Sequence, residues 1–132
     1  MGQVIDSCIW VDLFRPNTKE IVRSLADEVV SRPSIALCEP ITFELFRLAS
    51  HPSRKFLEIA LATVPVLTTP SSLWNMATRN GQCCREKGIQ AGAMDLLIAT
   101  ICKHHHATLV TFDVAFEKIA NVLQFPIEII TR

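Results

Sequence analysis

The sequence lacks net charge: Lys plus Arg and Asp plus Glu number 13 each. That excludes a protein that coats nucleic acid by bulk charge, though not one with a local basic rim. It lacks a CxxC pair, and its five cysteines (Cys8, Cys38, Cys83, Cys84, Cys102) are odd in number, which argues against a disulfide framework or a zinc site. Free thiols suit a reducing compartment. No basic region precedes an apolar stretch in "MGQVIDSCIW", and no apolar run approaches the ~20 residues of a membrane span. An uncleaved, soluble, cytoplasmic protein is the expectation. Also missing are internal repeats, low-complexity tracts, a P-loop, a GxGxxG and a DxD after the first strand. What remains is 132 residues, 49% hydrophobic and 20% charged, a composition that predicts one globular domain with a real core.

Along the chain, short apolar runs alternate with helical patterns. "QVIDS" opens as a strand that runs into an aspartate. "NTKEIVRSLADEVVS" has Ile21, Val22, Leu25 and Val29 at helical spacing, with Asn17 or Thr18 as cap and Pro33 as stop. "SIALC" is a second strand. "EPITFELFRLAS" predicts a helix with Pro40 in its first turn, "SRKFLEIALATV" a helix after Pro52, and "VPVLTT" a short extended piece. "PSSLWNMATRNGQCCREKG" predicts a helix with Pro70 near its start and Gly88 as stop. "AMDLLIATICKHHH" is an apolar helix, "ATLVTFD" a buried strand, "VAFEKIANVL" a helix and "PIEIIT" a closing strand. Continuous apolar strands alternating with helices predict an α/β fold, a parallel sheet covered on both faces.

The acids fall in a pattern. Asp6 ends the first strand and Asp113 ends "TLVTF", at the carboxyl edge where such sheets bind ligands. Asp95 starts an apolar helix and Glu44 lies inside one. If the four converge, their mutual repulsion calls for a hard divalent cation, Mg²⁺ or Mn²⁺, with phosphoryl chemistry as the usual purpose. Each acid also has an ordinary reading. Asp6 can hold a turn, Asp95 can face a helix dipole, Asp113 can cap "VAFEKIA", and Glu44 can be solvated.

Three stretches, "IDSCIWVDLFR", "CEPITFELFRLA" and "MDLLIATICKHHHATLVTFDVAFEKIA", together resemble the PIN-domain ribonucleases, most closely the toxin of a VapBC-type toxin–antitoxin pair. The resemblance spans nearly the whole chain and implies a PIN-like α/β/α sandwich. It implies catalytic, metal-holding roles for Asp6, Glu44, Asp95 and Asp113, with Ser7 and Thr111 as supporting hydroxyls. Glu39 is the rival to Glu44, which the "FELFRLA" segment favours. It further implies Mg²⁺- or Mn²⁺-dependent hydrolysis of RNA to 5′-phosphate and 3′-hydroxyl products, with no histidine or lysine as general base. A cognate antitoxin and a homodimer are the implied partners. Two departures stand out: Ala115 occupies a position where many relatives carry a further acid, and "HHH" replaces a glycine after the long helix. The same fold without turnover, as an RNA- or protein-binding module, is the alternative.

The histidine triplet predicts a helix end rather than a metal site, because successive imidazoles on a helix point about 100° apart and histidine tolerates positive φ. Adjacent Cys83 and Cys84 predict packing rather than a disulfide. Of Arg15, Arg47, Arg54, Lys55, Arg79, Arg85 and Lys87, Arg15 and Arg47 follow acidic motifs closely and are the candidates for RNA phosphate contacts. Trp10 and Trp74 sit in apolar helical patterns, which predicts burial in a core or interface rather than base stacking.

Overall fold

The computed structural model describes residues 2–132. In chain order the elements are β1 (Gln3–Ile5), α1 (Ser7–Phe14), α2 (Glu20–Val30), β2 (Ile35–Ala36), α3 (Glu39–Leu48), α4 (His51–Leu61), α5 (Leu73–Glu86), α6 (Ala93–His105), β3 (Thr108–Thr111), α7 (Ala115–Leu123) and β4 (Ile127–Ile129). The strands form one sheet in the order β2-β1-β3-β4, every pairing parallel, with helices on both faces. The covered parallel sheet that the alternation predicts is present, as the α/β/α sandwich that the resemblance implies.

The two central strands, β1 and β3, are buried because their side chains leave no alternative. Val4, Ile5, Leu109 and Val110 have no exposed surface, the mark of a sheet covered on both sides. Against it lies α6, in which five consecutive residues from Ile98 to Cys102 are buried. A helix apolar around most of its circumference belongs inside. The triplet at its end is a stop, as the sequence predicts: His106 takes the left-handed C-cap position at φ 54. Gly88, one residue past the C-cap Lys87, ends α5 at φ 77, a conformation costly to residues with a Cβ.

The order of strands positions the site. From β1 the chain moves to one side for β2, then returns to the other side for β3. The carboxyl ends of β1 and β3 therefore flank the reversal point where open α/β sheets form a crevice. Register fixes the detail: Ile5 pairs with Val110, and Asp6 N–H donates to the Val110 carbonyl at 3.0 Å. The turn into α1 is braced from below, where Trp10, 2% exposed, donates its indole N–H to the Ile5 carbonyl at 3.2 Å.

Several boundaries differ from the expectation. Neither Asn17 nor Thr18 caps α2; Lys19 holds that position without a side-chain bond, and the Thr18 hydroxyl is buried without a partner. Pro52 lies inside the first turn of α4, because Ser50 caps it by accepting from Ser53 N–H. The α5 helix starts later than its pattern, since the Pro70 carbonyl accepts from Leu73 N–H in a turn. "VPVLTT" contributes only a bridge between Leu37 and Val66. A helix after β1, not delimited in the sequence, is α1.

Leu109→Ala is expected to cost about 3 kcal/mol by opening a cavity between sheet and helices. Urea unfolding should show a lower midpoint with an unchanged slope. A near wild-type midpoint would mean that β3 is not central to the core.

Candidate active site

Asp6 follows β1 directly, is 5% exposed and serves as N-cap of α1. Its Oδ1 accepts from Ser7 N–H at 2.8 Å. Its Oδ2 accepts from the Thr111 hydroxyl at 2.6 Å and from the Cys8 thiol at 3.5 Å. Ser7 Oγ donates to Glu44 Oε1 at 3.2 Å. The two hydroxyls singled out in the sequence thus each hold one of the acids. Cys8 was not singled out. Its position two residues after Asp6, in the first turn of α1, was the only available signal.

Asp113 lies two residues beyond β3 and is exposed. Its N–H donates to Thr111 Oγ1 at 3.0 Å, and its Oδ1 accepts from Ala115 N–H at 2.9 Å. The N-cap position of α7 falls on Val114, not on Asp113; Asp113 instead braces the turn into the helix through one carboxylate oxygen. Ala115 itself is exposed at the start of α7. Asp95 stands in the first turn of α6.

The charges report on one another. Burial, then the charges of Asp6, Asp113 and Glu44, push the Asp95 carboxyl up to about 6. Burial raises Asp6 against the pull of its three donors, and Asp113 adds to the rise. Burial raises Glu44, opposed by the Ser7 bond; the charge of Asp6 adds to the rise and Arg47 opposes it. The four acids named in the sequence thus form one electrostatic cluster. Glu39 is exposed, and its carboxylate accepts from the Thr69 hydroxyl; neither Asp6 nor Asp95 is perturbed by it. The structure brings Glu44, not Glu39, to the cluster.

The basic candidates separate. Arg47 lies one turn beyond Glu44, with its guanidinium 5.8 Å from the Phe43 ring centre, and is close enough to act on Glu44. Arg15 caps the far end of α1, eight residues long, or about 12 Å from the Asp6 end. It lies 3.9 Å from Asp12, which is buried and also pairs with Arg132. Arg54, Lys55, Arg79, Arg85 and Lys87 are exposed surface charges. Trp10 is core as expected, but Trp74 is 71% exposed: α5 buries Leu73, Ala77 and Cys84, and Trp74 lies off that face. Phe43 (54%) and Leu48 (68%) are also exposed, so the apolar helices do leave apolar surface uncovered.

The donor set fits a hard divalent cation: oxygen ligands only, more negative charge than the nearby Arg47 offsets, and two acids raised by burial and repulsion. Among the described residues, no three acid, histidine or cysteine groups are already drawn into ligating geometry, so an ion would have to pull the carboxylates together.

The PIN domain family profile matches residues 4–122. The chain belongs to the PIN domain family, a family of nucleases. A comparison with curated protein sequences finds no match. Among solved structures, the chain is similar to one from VapBC2 of Rickettsia felis bound to a promoter DNA fragment, with TM-score 0.78, 18% identity, and coverage of 98% of this chain and 99% of that one. It is similar to a chain of VapBC-1 from nontypeable Haemophilus influenzae, with TM-score 0.71, 20% identity and 98% coverage of each. It is also similar to a chain of VapBC-5 from Mycobacterium tuberculosis, a member of the VapBC family of toxin–antitoxin systems, with TM-score 0.65, 18% identity, and coverage of 99% and 98%. At such identities the likeness carries the fold. Among the described residues, no helix is long and apolar enough to cross a membrane.

The raised Asp95 gives a test of the cluster without any ligand. Its carboxyl is at about 6 in the fold against 3.8 ordinarily, so the folded state holds the proton more tightly. The resulting stabilisation is complete below the ordinary value and is lost as pH rises through about 6. Compared with Asp95→Asn in chelator, the wild type should lose melting temperature across that window, and the variant should be the more stable protein above it. Parallel curves would show that Asp95 is not coupled to the other acids.

Proposed function

We propose that this chain is a Mg²⁺- or Mn²⁺-dependent endoribonuclease and the toxin component of a type II toxin–antitoxin pair, acting in the cytoplasm. The observation that carries the reading is the clustering of Asp6, Glu44, Asp95 and Asp113 at the strand-order reversal, where the charges of Asp6, Asp113 and Glu44 all raise Asp95. Membership of a nuclease family and the likeness to VapBC structures support it.

In this reading Asp6, Asp95 and Asp113 hold the cation, and Glu44 does so directly or through water. Thr111 and the Ser7 N–H fix the Asp6 carboxylate, and the Ser7 hydroxyl fixes Glu44. Arg47, beside Glu44, is the cation best placed to meet a phosphate of the RNA strand; Arg15 is a weaker candidate, because Asp12 lies beside it and the length of α1 separates it from Asp6. A divalent ion here supplies charge against the phosphate and a water acidic enough to attack phosphorus. The exposed Phe43, Leu48 and Trp74 support a homodimer and an antitoxin that covers apolar surface and offers an Arg or Lys to the acids.

Asp113→Asn tests the site. The amide oxygen can still accept from Ala115 N–H, so melting without metal should stay near wild type or rise as repulsion is relieved. RNA cleavage should fall about 100-fold and the Mn²⁺-induced rise in melting temperature should shrink. Wild-type cleavage with wild-type Mn²⁺ stabilisation would refute the assignment. In the same assay, EDTA should abolish cleavage and Mn²⁺ restore it; RNA bound but intact under both conditions would identify a binding module instead. For assembly, sedimentation at micromolar concentration should show a dimer that changes mass with the cognate antitoxin. A monomer indifferent to the antitoxin would contradict the toxin reading.

A further inference from the structure

Of the four acids, Asp6 is the buried one, and three donors converge on it. The Ser7 N–H occupies Oδ1. The Thr111 hydroxyl, at 2.6 Å, and the Cys8 thiol, at 3.5 Å, share Oδ2. The same thiol lies 3.4 Å from Thr111 Oγ1. A hydroxyl has one proton, and the short contact directs that of Thr111 to Asp6. The thiol likewise has a single proton, which it divides between Thr111 Oγ1 and Asp6 Oδ2. Cys8, Thr111 and Asp6 are thus in mutual contact around two protons, and Thr111 Oγ1 also accepts from Asp113 N–H at 3.0 Å. The Thr111 hydroxyl thus links Asp6 to Asp113, and the Cys8 thiol braces both Thr111 and Asp6.

We infer that Cys8 is a positioning residue of the acidic site: its thiol, through Asp6 Oδ2 and Thr111 Oγ1, fixes the carboxylate so that its remaining lone pairs face the cleft. The inference rests on the reading of Asp6 as a cation ligand. A thiol is a weak donor. It orients Asp6 while leaving most of the carboxylate's charge for the ion. Partners that orient a metal ligand typically change affinity 10–100-fold when removed, and a weak donor belongs at the low end of that range.

The test is Mn²⁺ binding to the full chain, measured by calorimetry, with metal-free melting alongside. Cys8→Ala should weaken Mn²⁺ binding about tenfold. Cys8→Ser keeps a donor at this position and should stay near wild type. Cys8→Val, which keeps bulk without a donor, should match Cys8→Ala, and replaces it if the smaller side chain unfolds the protein. Asp6→Asn should lose Mn²⁺ binding. If Asp6→Asn loses the ion while Cys8→Ala and Cys8→Val bind it as wild type does, Cys8 is packing only and the inference fails alone. Equal weakening in Cys8→Ser and Cys8→Ala also overturns it, since the hydrogen bond is then not the cause. If Asp6→Asn keeps wild-type affinity, the site reading fails and the inference with it.

Discussion

A carboxylate as deeply placed as Asp6, with 5% of its surface exposed, keeps its charge only when donors surround it. Those donors come from elements far apart in sequence. Thr111 lies 105 residues away, on β3, and reaches Asp6 only because β1 and β3 pair in parallel with Ile5 opposite Val110. Ser7 and Cys8 come from α1, whose start is fixed by the cap at Asp6 and by Trp10 beneath it. Sheet register, helix start and carboxylate orientation are therefore one constraint. A slip of one residue in the register would send Thr111 to the opposite face and leave Asp6 buried without its shortest hydrogen bond.

The cluster works against the fold. Asp95 is held at about 6 by burial and by three neighbouring acids, so near neutral pH the metal-free protein carries uncompensated repulsion. The nearest arginine relieves only part of it, through Glu44. Around Asp12, by contrast, Arg15 and Arg132 supply two cations for one carboxylate. The chain therefore has arginines available for pairing and leaves the cleft underpaired, which is the kind of local inconsistency expected where binding rather than stability sets the residues. A group that brought positive charge into the cleft would relieve that repulsion.

The sequence made the architecture legible because its strands are continuous apolar runs and its long helices are periodic or wholly apolar. It also made the four acids legible, since two stood at strand ends and the motifs around all four resemble one family. Less legible were features set by tertiary context. The start of α2 at Glu20 was hidden because Asn17 and Thr18 look like caps, and the Thr18 hydroxyl is instead buried. Trp74 looked buried because "SSLWNMA" is apolar; which apolar residue faces inward is decided by α5 packing on α6 and α7. Cys8 gave no signal beyond its place two residues after Asp6. Its role depends on Thr111, 103 residues away, and no local pattern encodes that contact.

Asp113 posed the sharpest choice in the sequence, between a helix cap and a charge facing the cleft, and the structure removes the opposition. Oδ1 accepts from Ala115 N–H, which ties the turn before the N-cap Val114 to the first residue of α7. Asparagine would supply the same acceptor about as well. A negative charge at the start of α7 gains about 0.3–1 kcal/mol from the helix dipole, and Glu117 already places one in that first turn. Against that gain, the charge of Asp113 raises both Asp6 and Asp95. That bond explains an acceptor at this position and does not explain a carboxylate. A positive group entering the cleft would account for the charge, and an exposed acid just beyond the end of β3 is placed to meet it.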